Sequence, residues 1–192
     1  KLYDTQIAHD KIRVVLIDNF SDELIDLGML MNISKNIEYH RNKENLGRIG
    51  NWNKSLGYVI SKWFCFLFVG DMFYEIAGLI NQIENTDKAS IYTFQMAISD
   101  GLQECKIGKY IMTKAGYNDG CALKRQYMTK GLMPFGPLQT NIFLSKKLNK
   151  LKFDTSNEYY ADIGFILSYM TGQKVVVSKN VYLIWDKNPK RT

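Results

Sequence analysis

The stretch VVLIDNFS at residues 14–21 decides how the rest of the chain can fold. Four apolar residues stand together without alternation, and an acid, an amide and a hydroxyl follow them. Such a run is typical of a strand that is covered on both faces, as in a parallel sheet. Ligands bind beyond the carboxyl ends of such strands, so Asp18, Asn19 and Ser21 would face a ligand. Alternatively, Asn19 and Ser21 only form the turn and cap the next helix.

Strand and helix patterns alternate over the first half of the chain, which predicts right-handed crossovers and a parallel sheet. Two predicted strands end in an acid, Asp18 and Asp71. These two acids would converge at one edge of the sheet. The predicted elements are the end of a helix at 1–9, strands at 12–17, 37–40 and 63–69, and helices from 21 or 22 to about 33, at 49–61 and around 76–83.

The second half predicts an antiparallel ribbon and then a long irregular segment. Residues 90–98 and 106–113 flank an Asp100-Gly101 turn. Residues 115–139 lack a clear period, which is typical of a functional loop. Asp162 precedes a predicted helix, where an acid can also serve only as a cap or dipole partner. The last predicted elements are a strand at 140–145, a helix at 163–170 and a strand at 174–177.

Composition predicts one globular domain of 192 residues that is soluble in the cytoplasm. No apolar run approaches the roughly 20 residues of a membrane-spanning helix, and no signal peptide is visible. The net charge of +6 is scattered, which argues against a nucleic acid partner. The charge then indicates either a solvated basic surface or a surface that attracts anions such as a nucleoside diphosphate or an acidic lipid.

Cysteine and histidine form no metal pattern. The three cysteines are widely spaced, and their odd number argues against a disulfide framework and for a reducing compartment. His9 and His40 have no partner at ligand spacing, so both are interpreted as structural.

The order of the motifs resembles the family-2 glycosyltransferases, which are inverting enzymes of the GT-A fold. The resemblance implies a Rossmann-like α/β/α sandwich of three layers with a mixed, mostly parallel central sheet. Residues 1–89 would form the nucleotide-sugar half and residues 90–192 the acceptor and catalytic half. The family's first strand normally precedes the residue equivalent to Lys1, and we expect a protein without it to be unstable or inactive. The matching motifs are IDNFS at 17–21, NLGRIGNWN at 45–53, FLFVGD at 66–71, GPLQT at 136–140, IFLS at 142–145, FD at 153–154 and YAD at 160–162.

The resemblance implies a donor site for a nucleotide sugar, with UDP as the default nucleotide. Asp18 would accept hydrogen bonds from the uracil or ribose, and Arg48 would meet the diphosphate unless it is simply an exposed side chain. The glycines of the 45–53 motif allow close backbone approach before a helix N-terminus, which favours anions. The implied donor-binding residues are Asp18, Asn19, Ser21, Asn45, Gly47, Arg48, Asn51 and Asp71.

The resemblance also implies a metal ligand and a catalytic base. Asp71 matches the family's Asp-x-Asp region, where acids hold Mg²⁺ or Mn²⁺, but only one acid remains here. Asp162 matches the base that deprotonates the acceptor hydroxyl. The usual acid before it is Ala161 and the usual arginine after it is Ser168, with Glu158 as the nearest substitute acid.

The implied activity is hexosyl transfer to a carbohydrate or lipid-linked acceptor, typical of bacterial surface-polysaccharide assembly. The positive charge suits peripheral contact with the anionic inner face of a membrane. Two alternatives stay open. One is a catalytically inert module that binds a nucleotide sugar or glycan, and the other is a nucleotidyltransferase.

Overall fold

The computed structural model describes residues 11–33, 36–86, 88–99, 105–107, 111 and 113–186. The predicted helix end at 1–9 and the Asp100-Gly101 turn lie outside these residues. The strands are β1 Val14–Asp18, β2 Ile37–Arg41, β3 Trp63–Phe64, β4 Asp71–Phe73, β5 Ile91–Ser99, β6 Cys105–Ile107, β7 Gly116–Asp119, β8 Asn141–Leu144 and β9 Lys174–Asp186. The α-helices are α1 Leu27–Ile33, α2 Gly47–Ser55, α3 Ile76–Glu84, α4 Gly120–Lys130 and α5 Ala161–Met170.

The strands form an α/β fold with a mixed sheet, as predicted. β1 and β2 pair in parallel, and the larger sheet has the order β3-β8-β5-β9-β4, with β6 beside β5 and β7 beside β9. In the described part of the chain, β1–β2 and β5–β9 are the only parallel pairings. The sheet is therefore less parallel than expected, because the strands that pair with β5 and β9, namely β4, β6, β7 and β8, run opposite to them.

Two hydrophobic clusters lie on opposite faces of the larger sheet. Along β5, Ile91 belongs to one cluster, whereas Tyr92 and Phe94 belong to the other. Successive strand residues point to opposite faces, so the sheet is covered on both sides. Phe165 of α5 packs in the first cluster and Leu79 of α3 in the second. None of the helices among the described residues is long and apolar enough to cross a bilayer.

The predicted buried strand at 63–69 is wrong. Only Trp63–Phe64 is a strand, and Val69 is 99% exposed. Gly70, with φ of +95°, turns the chain, and β4 begins at Asp71, antiparallel to β9. The remaining aromatic residues of the segment, Phe66 and Phe68, lie on backbone that is neither strand nor helix.

A cleft of about 460 Å³ separates β1 from the segment after β3. Its walls include the consecutive residues 15–17 of β1 and 64–68. A strand face contributes only alternate residues to a wall, so the consecutive residues 15–17 indicate that the cleft borders an edge of β1. This open edge explains why the apolar residues of β1 are only half-buried.

Residues 115–139, predicted to be irregular, contain β7 and α4. The side chain of Asp119 caps α4 by accepting a hydrogen bond from the Ala122 N–H at 2.8 Å. Gly131, with φ of +64°, ends the helix. The sequence of α4 carries no clear apolar stripe, but Asp119 and Gly131 are recognisable start and stop signals.

Three predicted boundaries also differ. α1 begins at Leu27 rather than at residue 21 or 22, because the Asp26 carboxylate accepts from the Gly28 N–H at 2.8 Å. α2 ends at Ser55 and a 3₁₀ turn follows it. β9 extends to Asp186, well beyond the predicted end at residue 177.

Candidate functional site

Asp18 is buried at the end of β1, and neighbouring protein groups hydrogen-bond its carboxylate. Its Oδ2 accepts from the Tyr39 hydroxyl at 2.6 Å, and its Oδ1 accepts from the Ser21 N–H at 2.8 Å. The Nε of Arg41 lies 3.7 Å from Oδ2. The Tyr39 hydroxyl, then Ser21 and Arg41, lower the pKa of Asp18 to about 2. Asp18 is therefore ionised at neutral pH and holds the turn at 18–21.

Replacing Asp18 with asparagine is expected to weaken the acid dependence of stability. The folded-state pKa of about 2 lies below the ordinary 3.8, so the carboxylate's contribution to the free energy of unfolding is complete above the ordinary value. It is lost as the pH falls from 3.8 towards 2. Urea unfolding across this range should show the wild-type advantage over Asp18→Asn shrinking towards acid pH. A difference that stays constant with pH would contradict this role.

Tyr39 and Arg41 order the turn and were not singled out from the sequence. They lie two residues apart on β2, so they project from the same face of the strand. Besides approaching Asp18, Arg41 donates from Nη2 to the Ser21 carbonyl at 2.7 Å and lies 5.1 Å from the centre of the Phe20 ring. Phe20 has a φ of 68°, which few non-glycine residues adopt. The surrounding bonds hold this unusual turn.

Four asparagines, Asn19, Asn42, Asn45 and Asn51, form a hydrogen-bonded group that we call the asparagine cluster. Asn42 Nδ2 donates to Asn19 Oδ1 at 2.9 Å and to Asn51 Oδ1 at 3.0 Å. Asn19 Nδ2 donates to Asn45 Oδ1 at 2.8 Å. An amide side chain both donates and accepts, so the cluster can join β1, the loop after β2 and α2. Asn42 is buried, and it is the one member of the cluster that was not predicted from the sequence as a site residue.

Gly47 and Arg48 carry this loop into α2. The Gly47 N–H donates to Asn45 Oδ1 at 2.9 Å, and its φ of +68° favours glycine. Arg48 donates from Nη2 to the Glu158 carbonyl, and its guanidinium lies 5.3 Å from the centre of the Trp52 ring. Arg48 therefore connects α2 to the segment that precedes α5. Its predicted contact with a diphosphate stays a prediction.

Asp162 lies half-buried in the first turn of α5. Its Oδ1 accepts from the Ile163 N–H at 2.8 Å. In the described part of the chain no other group bonds or ion-pairs with this carboxylate. The arrangement leaves one carboxylate oxygen available for a proton from a ligand.

Asp71 is the first residue of β4, opposite Trp185 of β9, rather than the end of a parallel strand. Burial raises its pKa to about 6. Its Oδ2 is buried and has no hydrogen-bond partner among the described residues. No direct contact within those residues joins it to Asp18 or Asp162, so the convergence of Asp71 with Asp18 stays a prediction.

A metal ion would find one protein ligand at Asp71. Within the described residues no group of three or more His, Cys, Asp or Glu side chains could hold a metal. The unpaired Asp71 oxygen suits Mg²⁺ or Mn²⁺ only if phosphate and water supply the other ligands.

The structure thus brings most of the predicted residues together. The Arg48 bond brings the Asp162 segment beside them. Among the described residues no hydrogen bond links Asp71 to this group, and its predicted place in the site stays a prediction. The residues gathered at the ends of β1 and β2 and on the first half of α2 are Asp18, Asn19, Ser21, Asn45, Gly47, Arg48 and Asn51.

No family model and no curated protein matches the chain. Among solved structures it is similar to S. aureus TarS 1-349, with a TM-score of 0.74, 14% identity, and 96% of this chain and 53% of that chain covered. The same TarS fragment in complex with UDP has a TM-score of 0.74 and 13% identity, with 98% of this chain and 54% of that chain covered. In complex with UDP-GlcNAc it has a TM-score of 0.74 and 14% identity, with 97% of this chain and 52% of that chain covered. The chain spans about half the length of these relatives. The likeness confirms the GT-A-like α/β fold.

Proposed function

We propose that this chain is a glycosyltransferase that uses a nucleoside-diphosphate sugar, with UDP as the nucleotide. The main support is the contact between α2 and the segment before α5, which brings the asparagine cluster and Asp162 to neighbouring elements. Further support comes from the similar TarS structures, which contain UDP and UDP-GlcNAc. Residues 1–89 would bind the donor and residues 90–192 the acceptor.

The donor would lie against the ends of β1 and β2. The turn held by Asp18 and the asparagine cluster would shape the surface for the nucleoside. The N-terminal turn of α2, together with Arg48, would face the diphosphate. Gly47 lets the backbone come close to these phosphates, since it has no side chain in the way.

Asp162 would act as the general base of an inverting hexosyl transfer. Its carboxylate takes the proton of an acceptor hydroxyl while that oxygen bonds to the anomeric carbon of the sugar. The bond from the anomeric carbon to the diphosphate oxygen breaks, and the nucleoside diphosphate leaves with the electron pair. Attack from the opposite face inverts the anomeric centre.

A divalent cation would offset the charge on the leaving diphosphate. Asp71 is the residue that would hold it. We place the acceptor among carbohydrates or lipid-linked glycans of surface polysaccharides. The net charge of +6 supports a cytoplasmic enzyme that touches an anionic membrane face.

The second candidate is an inert module that binds a nucleotide sugar. It is favoured by the single carboxylate at the position where the resembling family has two acids.

A donor panel separates these functions. The full-length protein would be incubated with UDP-GlcNAc and other UDP sugars, with Mn²⁺ or with a chelator, while UDP release is measured. We expect UDP to bind and at least one donor to turn over, faster with Mn²⁺. Binding without turnover under every condition would establish the inert module. If none of the nucleotides binds, both proposed functions are wrong.

A further inference from the structure

Asn53, on α2, hydrogen-bonds both backbone groups of Phe153. Its Nδ2 donates to the Phe153 carbonyl at 2.9 Å, and its Oδ1 accepts from the Phe153 N–H at 2.8 Å. Phe153 lies outside regular secondary structure, so this side-chain amide takes the place of a neighbouring strand. The pair of bonds fixes the backbone at residue 153 relative to α2.

Phe153 in turn supports the helix that carries Asp162. Its ring stacks on Phe165 of α5 with centroids 4.1 Å apart and planes 15° apart. Both rings are almost fully buried. Phe165 comes three residues after Asp162, so the two side chains leave α5 on neighbouring faces. A shift of Phe153 would therefore move α5, the helix that carries Asp162.

Two further contacts restrain the segment between Phe153 and α5. The Asp154 carboxylate accepts from the N–H and the hydroxyl of Ser156 at 2.8 and 2.6 Å, which shapes the turn. Arg48 then binds the Glu158 carbonyl. Asn53 and Arg48 both belong to α2, the helix that also carries Asn51 of the asparagine cluster. The same helix thus touches the donor side and holds the segment that leads to Asp162.

We propose that Asn53 is a positioning residue that sets the separation between the donor site and Asp162. This inference rests on the proposed transfer function. A misplacement of about 1 Å between a catalytic group and its substrate can lower a rate on the order of 10²-fold. Loss of the Asn53 bonds therefore lowers kcat, whereas nucleotide affinity is kept because Asn53 is not among the proposed donor-binding residues.

The first test compares Asn53→Ala with Asn118→Ala. Asn118 is a matched control, because its Nδ2 also donates to two backbone carbonyls, those of Lys114 and Gly116, but beside β7. We expect Asn53→Ala to lower kcat roughly 10- to 100-fold, with the Kd for UDP changed less than about twofold. Asn118→Ala should leave both unchanged. An unchanged kcat in Asn53→Ala, or an equal loss of UDP affinity, overturns the inference.

A double-mutant cycle shows whether Asn53 acts through Asp162. In the Asp162→Asn background, Asn53→Ala should cause little further loss, since the group that it positions is already disabled. Losses that multiply would assign Asn53 a merely structural role and refute the inference.

Hydrogen exchange tests the same link without any activity. Backbone amides at 153–163 should exchange faster in Asn53→Ala than in the wild type, whereas those of Asn118→Ala should match the wild type there. Unchanged exchange at 153–163 overturns the positioning role. A wild-type protein that turns over no donor overturns the proposed function instead, so the two failures are distinguishable.

Discussion

Replacing Asp162 with asparagine is expected to lower the rate of sugar transfer by about 10²- to 10⁴-fold while UDP binds as before. Asparagine has nearly the same shape, and its side-chain oxygen can still accept from the Ile163 N–H. It cannot take a proton from an acceptor hydroxyl. The wild-type carboxylate is half-buried at the start of α5 and has no other partner among the described residues, which leaves it available for this step.

The measurement is kcat/KM for transfer, with the Kd of UDP determined by calorimetry. Glu158→Gln is the matched control, because Glu158 is the nearest other acid and Arg48 uses its backbone carbonyl rather than its side chain. We expect Glu158→Gln to retain transfer. If Glu158→Gln is inactive and Asp162→Asn is active, Glu158 is the base and the assignment to Asp162 is wrong.

The grouping of the predicted donor-binding residues followed from the sequence, because most of them stand beside an element end that a local pattern reveals. The apolar run of β1 stops at Asp18, and the helical period of α2 begins just after Asn45 and Gly47. Residues at element ends that lie on one side of a fold come close without any long-range information. The α/β fold class followed from the same alternation of strand and helix.

The supporting residues were not predictable, because their roles depend on distant pairing. The sequence around Tyr39 predicts only that it belongs to a strand. Tyr39 contacts Asp18 because β2 lies beside β1 in the register that pairs Tyr39 with Leu16. Asn53 and Phe153 are 100 residues apart in the sequence. No local period connects positions so far apart.

The strand predicted at 63–69 was wrong for a different reason. Periodicity cannot distinguish a buried strand from an irregular aromatic segment. Here Phe66 packs edge-on against Phe153, and Phe68 stacks on Trp52, so the aromatic rings anchor a chain whose backbone is not a strand. The acid at its end, Asp71, consequently starts a strand instead of ending one.

Replacing Gly120 with alanine is expected to destabilise the protein by at least about 3 kcal/mol. A Cβ atom at this position would lie 1.9 Å from the Met170 carbonyl oxygen and 2.8 Å from that of Gln173. Both obstacles are backbone atoms, which cannot rotate away as a flexible side chain can. The Gly120 N–H also donates to the Gln173 carbonyl at 2.8 Å, so relief of the clash would break this bond.

Gly164→Ala is the matched control, since a Cβ there meets nothing within 4 Å and the residue lies in the exposed part of α5. Alanine in a helix should stabilise by roughly 0.5–1 kcal/mol. Denaturant unfolding of both variants measures the contrast. Similar unfolding free energies for Gly120→Ala and the wild type would show that α4 and the end of α5 are not in contact. A large loss would establish that this close backbone approach holds α4 and β7 against α5 and β9, and so supports the helix on which Asp162 lies.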